Sequence, residues 1–386
     1  MVFGDPAEFA AYQELVTAFE AQHPNIDVQL DHIPSQAEYR QKLATRFAAN
    51  EPPDVMLLNY RRFGAFAEAG ALVPLDEQLA ASEVIGADDF FPIAIESFEL
   101  NGRLWCIPQN VSSLVVYYNK DLFDAANVAY PQDDWTREQF LAAARQLTQD
   151  TNGDGTIDQY GVGLKPNIFR LAPFLWQDGL EIVDNPAAPT KLTIQSETLQ
   201  WFVDLQVVEG VVPSAEAEAA QDSESRFLNG TLAMMFNSRR GVPTYRTIES
   251  FEWDVAPLPR GKQAAGILHS DAYCMAATAE NKTAVWTFIE FANSVEGQTL
   301  VAASGRTVPS LMAVAESDTF LAPGLRPKNG RIYIDTIPIL RTVPIMGGWV
   351  AVEERASREI ERAFYGHVSV EEAAQFAEEE TAQYFR

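Results

Sequence analysis

Residues 1–59 alternate between strand and helix patterns, and this alternation constrains the fold more than any other feature of the sequence. A short apolar run opens the chain, and a helix pattern follows it, with Asp5 as the N-cap and apolar residues at helical spacing. Glu8 has the spacing of a capping box, in which its side chain would reach back to the cap. Alternating apolar and polar residues over 26–31 predict a half-buried strand. A second helix pattern begins at Ser35 and leads into 54–59, an apolar run typical of a buried strand. The order β-α-β-α-β predicts an α/β fold whose sheet is mostly parallel and flanked by helices.

The rest of the chain carries further helix and strand patterns and no internal repeat. Thr136 and Gln139 are spaced as a capping box, and Trp135 and Phe140 as the hydrophobic staple around it. We predict helices near 137–149, 196–208, 280–293, 351–365 and 370–385, and strands near 102–109, 113–119, 231–236, 252–257 and 270–276.

The balance of charge argues against two classes of partner. The chain has 386 residues, and its 54 acidic and 28 basic side chains give a formal net charge of −26. Nucleic acids and anionic membrane surfaces attract proteins through Lys and Arg, so we expect neither as a partner. The charge favours a monomer in solution. No apolar run approaches the roughly 20 residues that span a bilayer, so we expect no transmembrane segment in this chain.

The two cysteines, Cys106 and Cys274, both lie in apolar, strand-like stretches. Small thiols of this kind are commonly buried as ordinary core residues. We therefore expect two separate buried thiols, with a disulfide between them as the alternative.

Two polar segments follow predicted strands of the opening unit. Gly4 and Asp5 come directly after the first strand, and Asn59, Tyr60 and Arg61 come after the third. In open α/β sheets, ligands bind beyond the carboxyl ends of the strands. We expect these two segments to lie together at a ligand-binding edge.

Several segments, taken in order, resemble the bacterial extracellular solute-binding family that serves carbohydrate importers. GDPAEFAAYQELVTAFEAQHPNIDV resembles the first strand, helix and second strand of that family, and PPDVMLLNYRRFGAFAEAGALVPLDE its next strand and helix. VVYYNKDLF resembles its most recognisable element, a strand that ends in Tyr-Asn before a helix start. RFLNGTLAMMF and GHVSVEEAAQFAEEE are similar to later parts of the family. Gln109 and Asn110, just before the Tyr-Asn strand, fit the family pattern poorly.

The resemblance implies a fold of two α/β lobes joined by a hinge, with a sugar bound in the cleft between them. It places lobe one at 1–110 plus 265–312 and lobe two at 111–264 plus 313–386. Such a receptor closes around a monosaccharide or oligosaccharide and delivers it to the membrane permease subunits of an ABC importer. The resemblance implies no catalytic residue and no required cofactor. It also implies a periplasmic or extracellular location, with a lipid anchor in the full-length precursor left open.

Sugars are recognised by aromatic rings against their C–H faces and by polar side chains around their hydroxyl groups. Trp349 follows Gly347 and Gly348, where the backbone can approach a ligand, and is the first candidate for stacking. Trp176, near a predicted helix end, and Tyr60, after a strand end, are the other two. Packing in a core is the alternative for each of these three rings.

Polar candidates lie at strand ends and in loops. Three of them have an alternative role that involves no ligand: Asp5 as a helix cap, Asp271 as a turn residue, and Arg239 as a solvated side chain. Glu8 is a weaker candidate of the same kind as Asp5. The predicted polar ligand contacts are Asp5, Asn59, Asn110, Ser238, Arg239, Asp271 and Arg306, with Gln109 and Ser112 beside them.

An acidic loop has part of the spacing of a calcium site. Asp150, Asn152, Asp154 and Asp158 stand at EF-hand positions, but Gly161 occupies the position of the bidentate glutamate. We favour a turn-rich loop braced by Asx hydrogen bonds, with bound Ca²⁺ as the alternative.

Two further functions remain open at this point. The same fold with a phosphorylated polyol or an acidic sugar as ligand is one, because Arg pairs with phosphate and carboxylate. The arginines available for this are Arg61, Arg62, Arg239, Arg240 and Arg306. A carbohydrate-active enzyme with paired carboxylates is the other, although the chain has no G-x-S-x-G motif and only four histidines.

Overall fold

A computed structural model describes residues 1–385 of the chain. The strands are β1 (Val2–Phe3), β2 (His32–Ile33), β3 (Val55–Asn59), β4 (Glu99–Leu100), β5 (Arg103–Leu104), β6 (Cys106–Pro108), β7 (Val115–Asn119), β8 (Tyr160–Gly163), β9 (Leu232–Asn237), β10 (Trp253–Ala256), β11 (Gly266–Ile267), β12 (Asp271–Met275) and β13 (Leu340–Arg341).

The helices are α1 (Pro6–Gln22), α2 (Gln36–Ala48), α3 (Tyr60–Glu68), α4 (Asp76–Ala81), α5 (Pro92–Glu96), α6 (Lys120–Ala125), α7 (Arg137–Leu147), α8 (Ile168–Gln177), α9 (Glu197–Val207), α10 (Ala215–Ala220), α11 (Ser223–Leu228), α12 (Val242–Tyr245), α13 (Lys282–Ala292), α14 (Val295–Ala303), α15 (Met312–Ala315), α16 (Asp318–Leu321), α17 (Ile332–Asp335), α18 (Trp349–Phe364) and α19 (Val370–Thr381). The α/β class is confirmed, and no helix among residues 1–385 is both long and apolar enough to cross a membrane.

The chain divides into two compact units, each discontinuous in sequence. The first unit contains 1–112, 269–322 and 345–347, and the second contains 113–268, 323–344 and, among the described residues, 348–385. Residues 111–112, 313–322 and 345–347 thus fall in the first unit and residues 265–268 in the second, whereas the sequence boundaries assigned each of these segments to the other lobe.

The sheet of the first unit begins with parallel strands, as the β-α-β-α-β pattern predicts. β1 pairs in parallel with β2, and on its other side Met1 bonds to both Val55 and Leu57 of β3. Residues 26–30 lie outside β2 although their burial alternates, because the backbone there has no ladder partner and the Val28 N–H donates to the Glu20 carboxylate at 2.8 Å.

The prediction of mostly parallel sheets is wrong for the centre of both units. In the first unit, β12 runs antiparallel to both β3 and β6. In the second, β7 runs antiparallel to both β9 and β10, and β8 is parallel to β9. Local periodicity marks a strand but carries no information on its direction when its partner is distant in sequence. Each sheet is therefore mixed.

The two cysteines form a disulfide, so the expectation of separate thiols is wrong. Cys106 on β6 stands directly opposite Cys274 on β12, with their Cα atoms 4.4 Å apart. Facing residues of a non-hydrogen-bonded antiparallel pair lie at about 4.5 Å, which suits a cross-strand bond. The separation of 168 residues hid this pairing from the local sequence pattern.

Helix caps follow the sequence closely, with one informative exception. Thr136 and Gln139 form the predicted capping box, and Trp135 packs edge-on against Phe140 at 5.6 Å between ring centroids. Asp5 caps α1 by accepting from the Glu8 N–H at 3.0 Å. The Glu8 side chain does not reach back to the cap, because it is turned toward an arginine described below.

The span of the disulfide makes it a stabilising element of the first unit. We expect the double substitution Cys106→Ala, Cys274→Ala to lower stability by about 3–5 kcal/mol, because a closed loop of this length restricts the unfolded chain. In a domain of this size that corresponds to a fall of roughly 10 °C in the melting temperature of the unit.

Calorimetry of the wild type with and without a thiol reductant, beside the double variant, checks this expectation. The reductant should lower the wild-type melting temperature toward that of the double variant and leave the double variant unchanged. Equal melting temperatures for all samples would contradict it.

Candidate functional site

The strand ends of the first unit gather polar side chains at one edge of its sheet. β1 and β3 are parallel, so Asp5 and Asn59 follow them at the same edge. β12 is antiparallel to β3, and Asp271 at its start faces Asn59. β6 ends at the same edge, where Gln109 and Asn110 follow it. We call these residues, together with Glu8 and Arg306, the polar edge.

Asp271 is hydrogen-bonded to the side-chain amides of two asparagines at this edge. The Asn59 Nδ2 donates to the Asp271 Oδ1 at 3.0 Å, and the Asp271 N–H donates to the Asn110 Oδ1 at 3.1 Å. The Arg61 Nε donates to the Asn59 Oδ1 at 3.0 Å, which fixes the orientation of that amide. Asn59, Asn110 and Asp271, all predicted from sequence, are thus brought together.

Asp5, Glu8 and Arg306 form a second group at the same edge. The Arg306 guanidinium pairs with the Asp5 carboxylate and with the Glu8 Oε2, the latter at 2.6 Å. Gly4 takes a φ of 148°, and a methyl group at its Cα would overlap the Glu8 carboxylate. Glycine at this position therefore allows the buried carboxylate to turn toward Arg306.

Burial raises the pKa of two carboxyl groups of the polar edge. Glu8 is only 5% exposed, and burial raises its pKa to about 7 against the opposing attraction of Arg306. Burial also raises the pKa of Asp271, although Asn59 and Arg61 favour its charged form. The nearby carboxylates of Asp271 and Asp5 also raise the pKa of Glu8, because like charges disfavour its ionised form.

Two other predicted residues of the first unit lie on or against α3. The Tyr60 side chain is fully buried, and the backbone N–H of Tyr60 donates to the Ser270 carbonyl at 3.0 Å. The Gly347 N–H donates to the Glu68 Oε1 at 3.0 Å. Gly64 faces the Met346 backbone so closely that a methyl group there would lie 3.1 Å from its carbonyl carbon.

In the second unit, Ser238 and Arg239 follow the end of β9, as predicted. The Ser238 carbonyl accepts from the Tyr117 hydroxyl at 2.8 Å, and the Arg239 guanidinium lies 5.1 Å from the centre of the Tyr333 ring. The expectation of a solvated arginine does not hold for Arg239, because it is only 1% exposed and burial lowers its pKa to about 10.

Trp176 and Trp349 stand at helix ends of the second unit. Trp176 lies in the last turn of α8, and Trp349 follows Gly348 as the first residue of α18. Both rings are buried, and neither indole N–H has an acceptor among residues 1–385. The Arg341 guanidinium lies 4.8 Å from the centre of the Trp176 ring and covers one of its faces.

The acidic loop has the hydrogen bonds of an Asx-braced turn. Asp150 accepts from the Gly153 and Gly155 N–H groups, both at 2.7 Å, and Asn152 from the Asp154 N–H at 2.9 Å. Asp158 accepts from the Thr151 N–H at 3.0 Å. No group of three or more His, Cys, Asp or Glu side chains suited to a metal occurs among residues 1–385.

Sequence reasoning missed two tyrosines beneath the polar edge and underrated Glu8. Tyr12 looked like a core residue of α1, and Tyr273 like one of β12. Both are 1% exposed, yet both hydroxyl groups bond to Gln109. Gln109 itself was visible as a polar residue in an otherwise apolar strand.

The raised pKa of Glu8 has a consequence for stability. A carboxyl group with a folded pKa above its unfolded value stabilises the protein while it is neutral, and this stability is lost as pH rises through the folded pKa. The shift from 4.5 to about 7 predicts that Glu8 costs the wild type about 2–3 kcal/mol between pH 5 and pH 8. Glu8→Gln, which does not titrate, should lack this loss.

Melting temperatures of both proteins at intervals from pH 5 to pH 8 provide the measurement. The wild type should fall relative to Glu8→Gln as the pH rises. Glu14→Gln, an exposed position on the same helix, serves as the control and should follow the wild type. Curves for wild type and Glu8→Gln that stay parallel would show that Glu8 titrates normally.

Comparison with known proteins places this geometry in a family. The sequence pattern of the family described as bacterial extracellular solute-binding protein matches residues 4–299. A mannitol-binding protein of Pseudomonas aeruginosa is 22% identical over 96% of this chain and 89% of its own length. A diacetylchitobiose-binding protein of Streptomyces coelicolor is 24% identical over 81% of this chain and 72% of its own length.

A solved structure shows the same fold. An ABC substrate-binding protein of Listeria monocytogenes, determined in complex with cycloalternan, superposes with a TM-score of 0.90 at 24% identity, covering 99% of this chain and 97% of that protein. The match of the family pattern to most of the chain settles the assignment. This protein belongs to the bacterial extracellular solute-binding protein family.

Proposed function

We propose that this protein is the substrate-binding receptor of an ABC importer and that its ligand is a sugar, from monosaccharide to oligosaccharide. The observation that carries the proposal is the polar edge, where Asp271 lies between the amides of Asn59 and Asn110. Similarity to proteins named for mannitol and diacetylchitobiose, and to one determined in complex with cycloalternan, supports it, because all three ligands are rich in hydroxyl groups.

The chemistry of these side chains suits hydroxyl groups. A hydroxyl group donates one hydrogen bond and accepts others, and a carboxylate beside an amide offers an acceptor and a donor to the same sugar. The Asp271 carboxylate has further acceptor sites besides the one that Asn59 fills. We propose Asp5, Asn59, Asn110, Asp271 and Arg306 as ligand contacts in the first unit.

The charges of the polar edge favour a neutral ligand over an anionic one. Arg306 pairs with both Asp5 and Glu8, so its charge is offset by two carboxylates. Arg61 is directed to the Asn59 amide and lies near Asp271. An acidic sugar or phosphorylated polyol entering this edge would meet carboxylates, and like charges in a partly buried site repel strongly.

In the second unit, we propose Ser238, Arg239, Trp176 and Trp349 as ligand contacts. We further propose that Gly347 of the first unit and Gly348 of the second allow the backbone to approach the ligand. Within the part of the chain that the structure describes, the indole N–H groups of Trp176 and Trp349 have no acceptor, and a sugar oxygen is a suitable acceptor for either. Because Arg341 covers one face of Trp176, only the other face is offered for stacking. Tyr60 is the remaining aromatic candidate.

The proposed role requires no chemistry on the ligand and no cofactor. The protein would deliver its sugar to membrane permease subunits from a periplasmic or extracellular position, with a lipid anchor in the precursor as one way to hold it there. Calcium at Asp150, Asn152, Asp154 and Asp158 is not part of the proposal, because the side chains of that loop already brace its backbone.

A thermal-shift screen identifies the ligand. Mannitol, maltotriose, diacetylchitobiose and cyclic glucans form the first panel, with glucuronate and glycerol phosphate as anionic members. A ligand at 100 times its dissociation constant stabilises the folded state by about 2.7 kcal/mol. We expect a neutral sugar to do so, and recovery of that sugar unchanged after long incubation. Stabilisation only by anions, with strong salt dependence, would support the alternative ligand class.

Calorimetric titration of the sugar found in this screen then tests the polar edge. Asp271→Ala should weaken binding by roughly 10–100-fold, because a hydrogen bond to a charged group contributes about 1.5–3 kcal/mol. Glu14→Ala, which removes an exposed carboxylate of the same unit, should leave the affinity unchanged. Equal affinities for wild type and Asp271→Ala would place the ligand elsewhere.

A further inference from the structure

A chain of buried side chains runs beneath the polar edge and joins its two groups. The Gln109 Nε2 donates to the Tyr273 hydroxyl at 2.8 Å and to the Tyr12 hydroxyl at 3.1 Å. Its Oε1 accepts from the Asn110 Nδ2 at 3.3 Å. Both hydrogens and the oxygen of this amide are therefore engaged, and Gln109 is only 2% exposed.

The Tyr12 hydroxyl connects this amide to Glu8 and has two acceptors within reach. It lies 3.3 Å from the Glu8 Oε1 and 3.4 Å from the Gln109 Oε1. A hydroxyl group has a single proton to donate, so it bonds to only one of these acceptors at a time. When it donates to Gln109, it competes with Asn110 for the same oxygen.

We propose that Gln109 is a positioning residue which, through Tyr12, couples the protonation state of Glu8 to the orientation of Asn110 and Asp271. When Glu8 is ionised, its carboxylate is the stronger acceptor, and the Tyr12 hydroxyl donates its hydrogen bond to it. The Gln109 Oε1 is then left to Asn110, whose Oδ1 accepts from the Asp271 N–H. When Glu8 is neutral, Tyr12 turns toward Gln109 and the hold on Asn110 loosens.

The titratable and charged groups around Glu8 influence the pH at which the Tyr12 hydroxyl exchanges between Glu8 and Gln109. Arg306 from the 304–309 loop faces Glu8. Asp5 caps the helix that carries Glu8, and Tyr12 lies one turn further along it. Asp271 and Tyr273 approach from β12. His32 of β2 bonds to the Gly4 carbonyl beside it at 2.8 Å. Burial raises the pKa of Glu8 to about 7, so the exchange falls within the physiological range.

The inference rests on the proposed function for its consequence: a sugar held by Asp271 and Asn110 would bind more tightly as the pH rises through the titration of Glu8. The coupling itself belongs to the free protein. It is therefore tested without any sugar, and its failure is distinct from a failure of the proposed function.

Nuclear magnetic resonance of the unliganded protein from pH 5.5 to pH 8.5 provides the test. The Glu8 carboxyl carbon and the side-chain amides of Gln109 and Asn110 are followed together. We expect both amides of the wild type to shift with the midpoint of Glu8. In Tyr12→Phe, which removes the bridging hydroxyl alone, these shifts should fall by at least half while Glu8 still titrates.

Tyr273→Phe is the matched control, since it removes a hydroxyl group from the same amide but not from the path to Glu8. It should keep the Asn110 shift. Glu8→Gln, whose side chain cannot ionise, should abolish the Asn110 shift both alone and when combined with Tyr273→Phe. An Asn110 amide that does not move in the wild type, or that moves equally in Tyr12→Phe or in Glu8→Gln, would overturn the proposal.

Discussion

The antiparallel pairing of β12 with β3 is the interaction on which the candidate site depends. The register sets Asp271 opposite Asn59, and a shift by one residue would turn every β12 side chain to the other face. The same strand pairs with β6 on its other side, where the Cys106–Cys274 bond holds the register. A distant segment of the chain thereby supplies both the carboxylate of the site and the covalent link that keeps it in place.

The polar edge shows how buried polar groups can be tolerated in a receptor. Taking carboxylates out of water is costly unless hydrogen bonds and opposite charges replace the lost solvent. Arg306 forms ion pairs with Asp5 and Glu8, and the amides of Asn59 and Asn110 are hydrogen-bonded to Asp271. Gln109 is hydrogen-bonded to Asn110 in one group and, through Tyr12, to Glu8 in the other. For the proposed sugar ligand, side chains held in this way would need little rearrangement, and this would lower the entropic cost of binding.

Local features of the sequence predicted the local features of the structure. Asp5 as a helix cap, the Thr136 capping box and the parallel start of the first sheet follow from residue types and spacing over a few positions. The predicted strand boundaries also marked Asn59, Asn110 and Asp271 as polar candidates, because a strand pattern shows where each strand begins and ends; their contact with a ligand stays a prediction.

Features that depend on distant partners were beyond such reasoning. Cys106 and Cys274 are separated by 168 residues, and Gln109 and Tyr273 by 164. Glu8 had the spacing of a capping box, yet its side chain pairs with Arg306, from which it is separated in sequence by the main segment of the second unit. The direction of β12 and β7 was hidden for the same reason, since periodicity is the same in parallel and antiparallel strands.

The most direct test of the proposed function is a crystal structure of the protein with the sugar that stabilises it. The account predicts a ligand hydroxyl group at hydrogen-bonding distance from the Asp271 carboxylate, with the Asn59 and Asn110 amides beside it. A sugar bound away from all of the polar edge would contradict it.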